Sequence, residues 1–267
     1  MPRMTETPVD DPRQCVYAVA DVREIDRAAI RGGIDGYELM SRAGRFALDV
    51  AREAFDGSTR WRVLCGAGNN AGDGYLVARL ALECGIDARV LHVADPEKLS
   101  GDARTAWRDA RAAGVDIRAF EGHLEPGADL LIDALLGSGL DRAVAGDFGR
   151  AVDALNAHAA PVFALDVPTG IHGDSGAELG VAVRAELTAT FVGRKTGLYL
   201  QAGPDAAGRL RYSDLGVPDE AFAGRRPRMR LVPASLAADA LPRRRRQSHK
   251  GDYGHVLVVG GGPGMPG

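Results

Sequence analysis

Apolar and polar positions switch between two periods along this chain. Asp21 to Ile30 reads as a short helix. It opens on an acidic cap, has Glu24 three residues later in the pattern of a capping box, and closes at Gly32-Gly33. Leu39, Ala43, Phe46, Val50 and Ala54 then recur at three- and four-residue spacing, predicting a second helix over Tyr37 to Phe55 with one apolar face. Further on, buried-strand patterns at Arg62 to Cys65, Arg89 to Val93, Leu130 to Asp133 and Val162 to Leu165 alternate with helical patterns at Tyr75 to Cys84, Asp102 to Ala113 and Phe148 to Ala157. This alternation implies βαβ units, so the predicted fold class is α/β, a Rossmann-like three-layer αβα sandwich with a mostly parallel central sheet. Leu187 to Val192, Arg209 to Tyr212 and Arg228 to Val232 read as further strands, close enough together to be antiparallel or edge additions.

The rhythm fails at both ends. Residues 1–15 are polar and read as a disordered leader. Pro233, Pro242 and the basic run Arg243 to Arg246 interrupt the pattern, after which it restarts at His249 with a strand over His255 to Val259 and a glycine loop at Gly260 to Gly264. The expected organisation is a leader over 1–15, one domain over 16–233, and 234–267 as a linker with the first strand of a truncated second domain. The arginine run reads as a solvated linker.

Composition narrows the class. The 267 residues allow one large domain, or one and a fragment, at about 150 residues per domain. The hydrophobic fraction of 45% and charged fraction of 26% are those of a globular enzyme with a real core. A net charge of -3 argues against nucleic-acid binding, and no apolar run reaches membrane-spanning length. Cys15, Cys65 and Cys84 have no paired spacing, which fits a reducing cytoplasm better than a disulfide framework.

Three segments carry chemistry. The first is Cys65-Gly66-Ala67-Gly68-Asn69-Asn70-Ala71-Gly72-Asp73-Gly74, between a strand and its helix, where backbone N–H groups suit an anion such as pyrophosphate. Gly66, Gly68 and Ala71, with Asp95 after the next strand, also fit a dehydrogenase fingerprint. Asp73 argues against that reading, because a carboxylate beside a pyrophosphate repels it. The second is a strand ending at Asp133 followed by Gly137-Ser138-Gly139. The third is a strand ending at Asp166 followed by Pro168-Thr169-Gly170. One strand-end aspartate is as readily a cap or turn former. Two of them beside an amide-rich turn at one sheet edge form a set of hard oxygen donors: the Asn70 amide, the Asp133 carboxylate and the Thr169 hydroxyl. With no Cys or His among them, these fit a hard cation, whether potassium, sodium or magnesium, better than zinc.

In these motifs the sequence resembles the YjeF N-terminal domain family, the NAD(P)H-hydrate epimerases. Gly68 to Gly74, Asp133 to Gly139 and Asp166 to Gly170 match in order and spacing, as do Glu24-Ile25-Asp26, Leu39 to Gly44 and Thr190 to Leu198. The resemblance covers about residues 16 to 232. It departs from the family pattern at Ala71, where glycine is usual, and at Thr169, where serine is usual. The tail from Lys250 resembles the start of an ADP- or ATP-dependent NAD(P)H-hydrate dehydratase domain of the ribokinase-like superfamily.

The resemblance implies an isomerase acting on NADHX and NADPHX, the hydrates of NADH and NADPH, in nicotinamide nucleotide repair, with a dehydratase in cis in a bifunctional chain and pairing as a homo-oligomer. It assigns Asn69, Asn70, Ala71, Gly72 and Asp73, with Gly137, Ser138, Gly139, Leu140, Asp141, Arg142 and Ala143, to the dinucleotide. Asn70, Asp133 and Thr169 are assigned to a potassium ion. Asp166 is the acid/base candidate and contacts the substrate. Lys195 either assists it, binds phosphate or is a structural surface lysine. The competing readings are a non-catalytic dinucleotide-binding or scaffold module of the same fold, and an NAD-dependent dehydrogenase.

Overall fold

The computed structural model describes residues 11–232, 246–254 and 257. From Asp11 the chain makes a 3-10 turn, Pro12–Gln14, and then β1 (Cys15–Tyr17), α1 (Val19–Arg31), α2 (Gly36–Ala54), β2 (Arg60–Cys65), α3 (Asn69–Glu83) and β3 (Asp87–His92). There follow α4 (Gly101–Ala112), β4 (Asp116–Ala119), β5 (Leu130–Ala134), α5 (Gly146–Ala157), β6 (Val162–Leu165) and β7 (Leu187–Phe191). The last elements are β8 (Arg194–Lys195), α6 (Gly203–Ala207), β9 (Arg209–Ser213) and β10 (Met229–Arg230). The chain divides into two compact units, Met1–Arg230 and Leu231–Gly267. In the second, the described residues form a 3-10 turn over Lys250–Tyr253.

The main sheet has seven strands in the order β4-β3-β2-β5-β6-β7-β9, every pair parallel. Alternate residues of its central strands serve two cores. Val63, Cys65, Leu130, Ile132, Phe163 and Leu165 pack with the buried faces of α1 to α4. Leu64, Leu131, Val162 and Ala164 pack with Ala151, Val152 and Leu155 of α5. Strands buried on both faces between helical layers make the three-layer sandwich, as expected from their unbroken apolar runs. A small second sheet, β10-β1-β8, ties the N-terminal segment to the segment after β7. No helix of the described residues is long and apolar enough to cross a membrane.

Four local expectations change. Residues 11–15, expected in the leader, are ordered, and Cys15, Val16 and Tyr17 are buried. The capping box at Asp21 does not form, because α1 begins earlier and its Val19 N–H donates to Asp174 Oδ1 at 2.7 Å. A side chain distant in sequence thus satisfies a helix-end donor that a local cap would have served. β7 and β9 are parallel and not antiparallel, since the crossover through α6 returns the chain in the same direction, while β9 is the edge strand of the main sheet and β10 pairs antiparallel with β1, as the edge and antiparallel readings expected. α3 begins at Asn69 and not near Tyr75, so the glycine- and asparagine-rich segment is helical. The strand expected over His255 to Val259 lies outside the described residues apart from Leu257, which is exposed. Arg243 to Arg245 also lie outside them.

Candidate functional site

The order of the sheet reverses between β2 and β5. Strands β3 and β4 lie to one side of β2, and β5, β6, β7 and β9 follow on the other. The connections leaving β2 and β5 therefore diverge, and a crevice opens at their carboxyl ends. Gly68 starts α3 there with φ 86, a conformation that costs glycine little and other residues more. Because Asn70 and Asp73 lie three residues apart in the first turns of α3, they share a helix face and both line the crevice. Ala71 and Gly72 point the other way. Ala71 is fully buried in the core in a helical conformation, so alanine is accommodated there. A Cβ at Gly72 would meet Met40 Sδ at 2.8 Å and Ala103 Cα at 2.9 Å, so this glycine lets α2 and α4 close on α3.

At the end of β5, Asp133 is fully buried and held by neutral donors. Oδ1 accepts from Leu135 N at 3.1 Å and from the Thr169 hydroxyl at 2.7 Å; Oδ2 accepts from Thr169 N at 2.8 Å. Thr169 Oγ1 in turn accepts from Leu136 N at 2.9 Å. Burial pushes the Asp133 carboxyl up to about 6, against the opposing pull of these hydrogen bonds. In the first turn of α3, both side-chain amide atoms of Asn70 are buried without a hydrogen-bond partner. A buried, unsatisfied amide oxygen and a buried carboxylate without a counter-charge are oxygen donors of the kind that suits a hard cation.

Asp166, just past β6, is held differently. It has φ 66, a left-handed conformation uncommon outside glycine, and Asp is among the residues that tolerate it. Its Oδ1 lies 2.5 Å from Lys195 Nζ and its Oδ2 accepts from Ser138 N at 2.8 Å. Burial would raise its pKa, but the Lys195 ammonium and the Ser138 hydrogen bonds outweigh that and hold it below the usual carboxylate range. Lys195 is buried, at 3% exposure, so it is not a surface lysine. Besides Asp166, its ammonium reaches Phe191 O at 2.8 Å and Thr190 Oγ1 at 3.2 Å. Those three acceptors use all its N–H groups, leaving none for a phosphate.

Some of these parts border one cavity of about 650 Å³. Asn69, Asn70, Asp73, the whole run from Gly137 to Ala143, and Asp166 line it; Ala71, Gly72, Asp133, Thr169 and Lys195 lie outside its lining. Gly137 is the pinch point, since a Cβ there would sit 2.7 Å from Asp166 Oδ2 and 3.4 Å from Asn70 Cγ. Asp73 faces Asp166 across this space. Burial, followed by the Asp166 charge, pushes its carboxyl well above the ordinary range, so the two cavity carboxyls are driven in opposite directions. None of the six histidines is among the lining residues.

Sequence patterns missed several contributors, Val144 and Ala145 among them. Arg23 reaches the cavity from α1, its Nη2 about 3.0 Å from where a Gly139 Cβ would stand, and Phe148 closes a wall from α5. Arg23 lies inside the Asp21 to Glu24 capping pattern and one residue before the Glu24-Ile25-Asp26 motif, neither of which marks it as a site residue. Asp26 itself is pushed up by burial, with the Lys195 ammonium opposing.

Comparison with known proteins bears on this arrangement. The family model described as YjeF-related protein N-terminus matches residues 36–197. The bifunctional NAD(P)H-hydrate repair enzyme Nnr of Coxiella burnetii is 39% identical over 252 residues, covering 94% of this chain and 52% of that protein. The Escherichia coli protein of the same name is 38% identical over 268 residues, covering 99% and 51%. The chain thus spans about half the length of the curated relatives it matches. Among solved structures, yeast YNL200c superposes with a TM-score of 0.64 at 19% identity, over 79% of this chain and 94% of that one, which is a likeness of fold.

Proposed function

The chain belongs to the family of YjeF-related protein N-termini, and from that premise we propose that it is an NAD(P)H-hydrate epimerase, interconverting the R and S forms of hydrated NADH and NADPH at C6 of the nicotinamide ring. One observation carries the reading: Asp73 and Asp166 line a single cavity, with burial driving the Asp73 carboxyl up and the Lys195 ammonium holding Asp166 down. The names of the bifunctional relatives, NAD(P)H-hydrate repair enzymes of which this chain spans about half the length, support it. The dehydratase that the sequence resemblance implies would belong to the remainder of such a bifunctional chain.

The hydrated C6 bears a hydroxyl next to the ring nitrogen. Asp73, as a neutral carboxylic acid, gives a proton to that hydroxyl. The C6–O bond breaks, its electron pair leaves with water, and the nitrogen lone pair forms the N–C6 double bond. The Asp166 carboxylate faces the resulting iminium and stabilises its positive charge. Water adds to the opposite face of C6 and gives its proton to Asp166, which inverts the carbon. Proton exchange with solvent returns both carboxyls to their starting states. Lys195 acts through Asp166 as a positioning residue, keeping it ionised and fixed. Asn70, Asp133 and Thr169 would hold a potassium ion, which when bound supplies positive charge beside the dinucleotide's pyrophosphate.

The test is epimer exchange. Mixing the protein with the R epimer should accelerate formation of S over the spontaneous rate, and Asp166→Ala should remove about 10²- to 10⁴-fold of that acceleration. Absence of acceleration by folded wild type would leave a dinucleotide-binding module. The pH profile, corrected for spontaneous exchange, checks the roles. Asp73 must be protonated, so the rate should fall as pH rises through its elevated pKa. Asp166 must be ionised, so the acid limb should lie below the ordinary 3.8. A rate that climbs steadily with pH would reverse the assignment.

A further inference from the structure

A second cavity, of about 300 Å³, opens beside the first and shares Ala67 and Gly68 with it. Asp95, Lys98 and Ser100, from the segment after β3, form its other wall. We propose that this cavity receives the adenosine half of the dinucleotide, with Lys98 reading a phosphate on the ribose 2′ oxygen. The inference rests on the epimerase reading and extends it to the choice between hydrated NADPH and hydrated NADH.

Topology places the two halves. From β6, which delivers Asp166, to β3 is three strand steps through β5 and β2, about 14 Å at the usual spacing between strands. A dinucleotide with its nicotinamide at Asp166 and its pyrophosphate at the start of α3 therefore extends its second nucleoside over β3. In doubly wound folds, the residues after the strand next to the glycine turn read the ribose: an acid there takes the 2′-hydroxyl, and a basic side chain accommodates a 2′-phosphate.

Both types are present here. Asp95 caps the 3-10 turn Pro96–Lys98, its Oδ1 accepting from Glu97 N at 3.0 Å. The capped turn sets Lys98 on the cavity rim. Glu97 is directed to Arg104, 3.8 Å away, while the Lys98 ammonium has no ion pair or hydrogen bond among the described residues. Its ammonium is therefore a point charge available to a phosphate. The Ser100 hydroxyl adds a donor on the same wall.

The experiment compares adenosine 2′,5′-bisphosphate with adenosine 5′-monophosphate by calorimetry on this chain, for wild type, Lys98→Ala and Lys98→Glu, alongside exchange kinetics with both hydrated dinucleotides. Wild type should bind the bisphosphate about tenfold more tightly, the scale of one hydrogen bond to a charged group. Lys98→Ala should erase that preference and Lys98→Glu reverse it. The ratio of kcat/KM for hydrated NADPH over hydrated NADH should fall by a similar factor. A preference that survives Lys98→Glu overturns the subsite, as does failure of a protein active in exchange to bind either adenosine nucleotide. If the Lys98-dependent preference holds while neither hydrate is exchanged, the subsite stands and the epimerase reading fails.

Discussion

Asp133 and Asp166 occupy matching stations, at the carboxyl ends of the adjacent parallel strands β5 and β6, yet their surroundings give them different chemistry. Asp166 meets a buried ammonium and stays ionised. Asp133 meets a hydroxyl and two backbone N–H groups, which satisfy its oxygens without neutralising its charge, so burial raises it. A carboxylate whose counter-charge is built into the protein is ready to act on a substrate cation. A carboxylate held only by dipoles is ready to receive a cation. The position on the sheet is shared, and the partner decides the role.

The largest effect should come from removing the built-in counter-charge. Lys195→Met leaves Asp166 with the Ser138 N–H and no ammonium, and breaking a buried pair from one side costs about 3–5 kcal/mol. Asp166→Asn in the same chain should recover part of that loss, because no lone charge remains. Urea unfolding of both variants measures this. A cost below about 1 kcal/mol for Lys195→Met would place the pair with solvated ion pairs and undo the contrast with Asp133.

Much of this contrast is absent from the linear sequence. The strand runs and their terminal aspartates are legible, because an apolar run ending in a carboxylate and a glycine turn has few other readings. Thr169 and Lys195 are named there too, but the contacts that pair each with its carboxylate are not legible. Lys195 lies on β8, beyond the Thr190-Phe191 strand end, and only the fold brings it to Asp166. The early start of α3 was hidden because Asn69, Asn70, Gly72 and Gly74 are poor helix formers. Packing against α2 and α4 overrides that preference. β4 went unseen because Asp116–Ala119 is a half-exposed edge strand without an apolar run. Arg23 carries no motif of its own, and its role depends on where α1 is pinned by Asp174.

A smaller effect should follow from altering the neutral partners of Asp133. Thr169→Val deletes the hydroxyl that donates to Oδ1 and accepts from Leu136 N, leaving that N–H unsatisfied. The expected cost is about 2 kcal/mol. Thr169→Ser keeps the hydroxyl and should cost less than half as much. Equal losses for the two would mean that the methyl group's packing matters more than the hydrogen bonds.

The smallest effect separates the two carboxyls most directly, because it is read from the ligand and not from the fold alone. If Asp133 and the unpaired Asn70 amide form a cation site, potassium binds the folded chain and stabilises it by mass action. At ten times Kd that is about 1.4 kcal/mol, or roughly 3–6 °C in Tm for a domain of this size. At constant ionic strength, potassium chloride should raise Tm over a choline chloride control. Asn70→Ala and Asp133→Asn should each abolish the rise even if their own baselines move. Asp166→Asn, whose partner is Lys195, should retain it. A potassium response that vanishes with Asp166 and persists without Asn70 or Asp133 would put the ion at the other carboxylate and exchange the two roles.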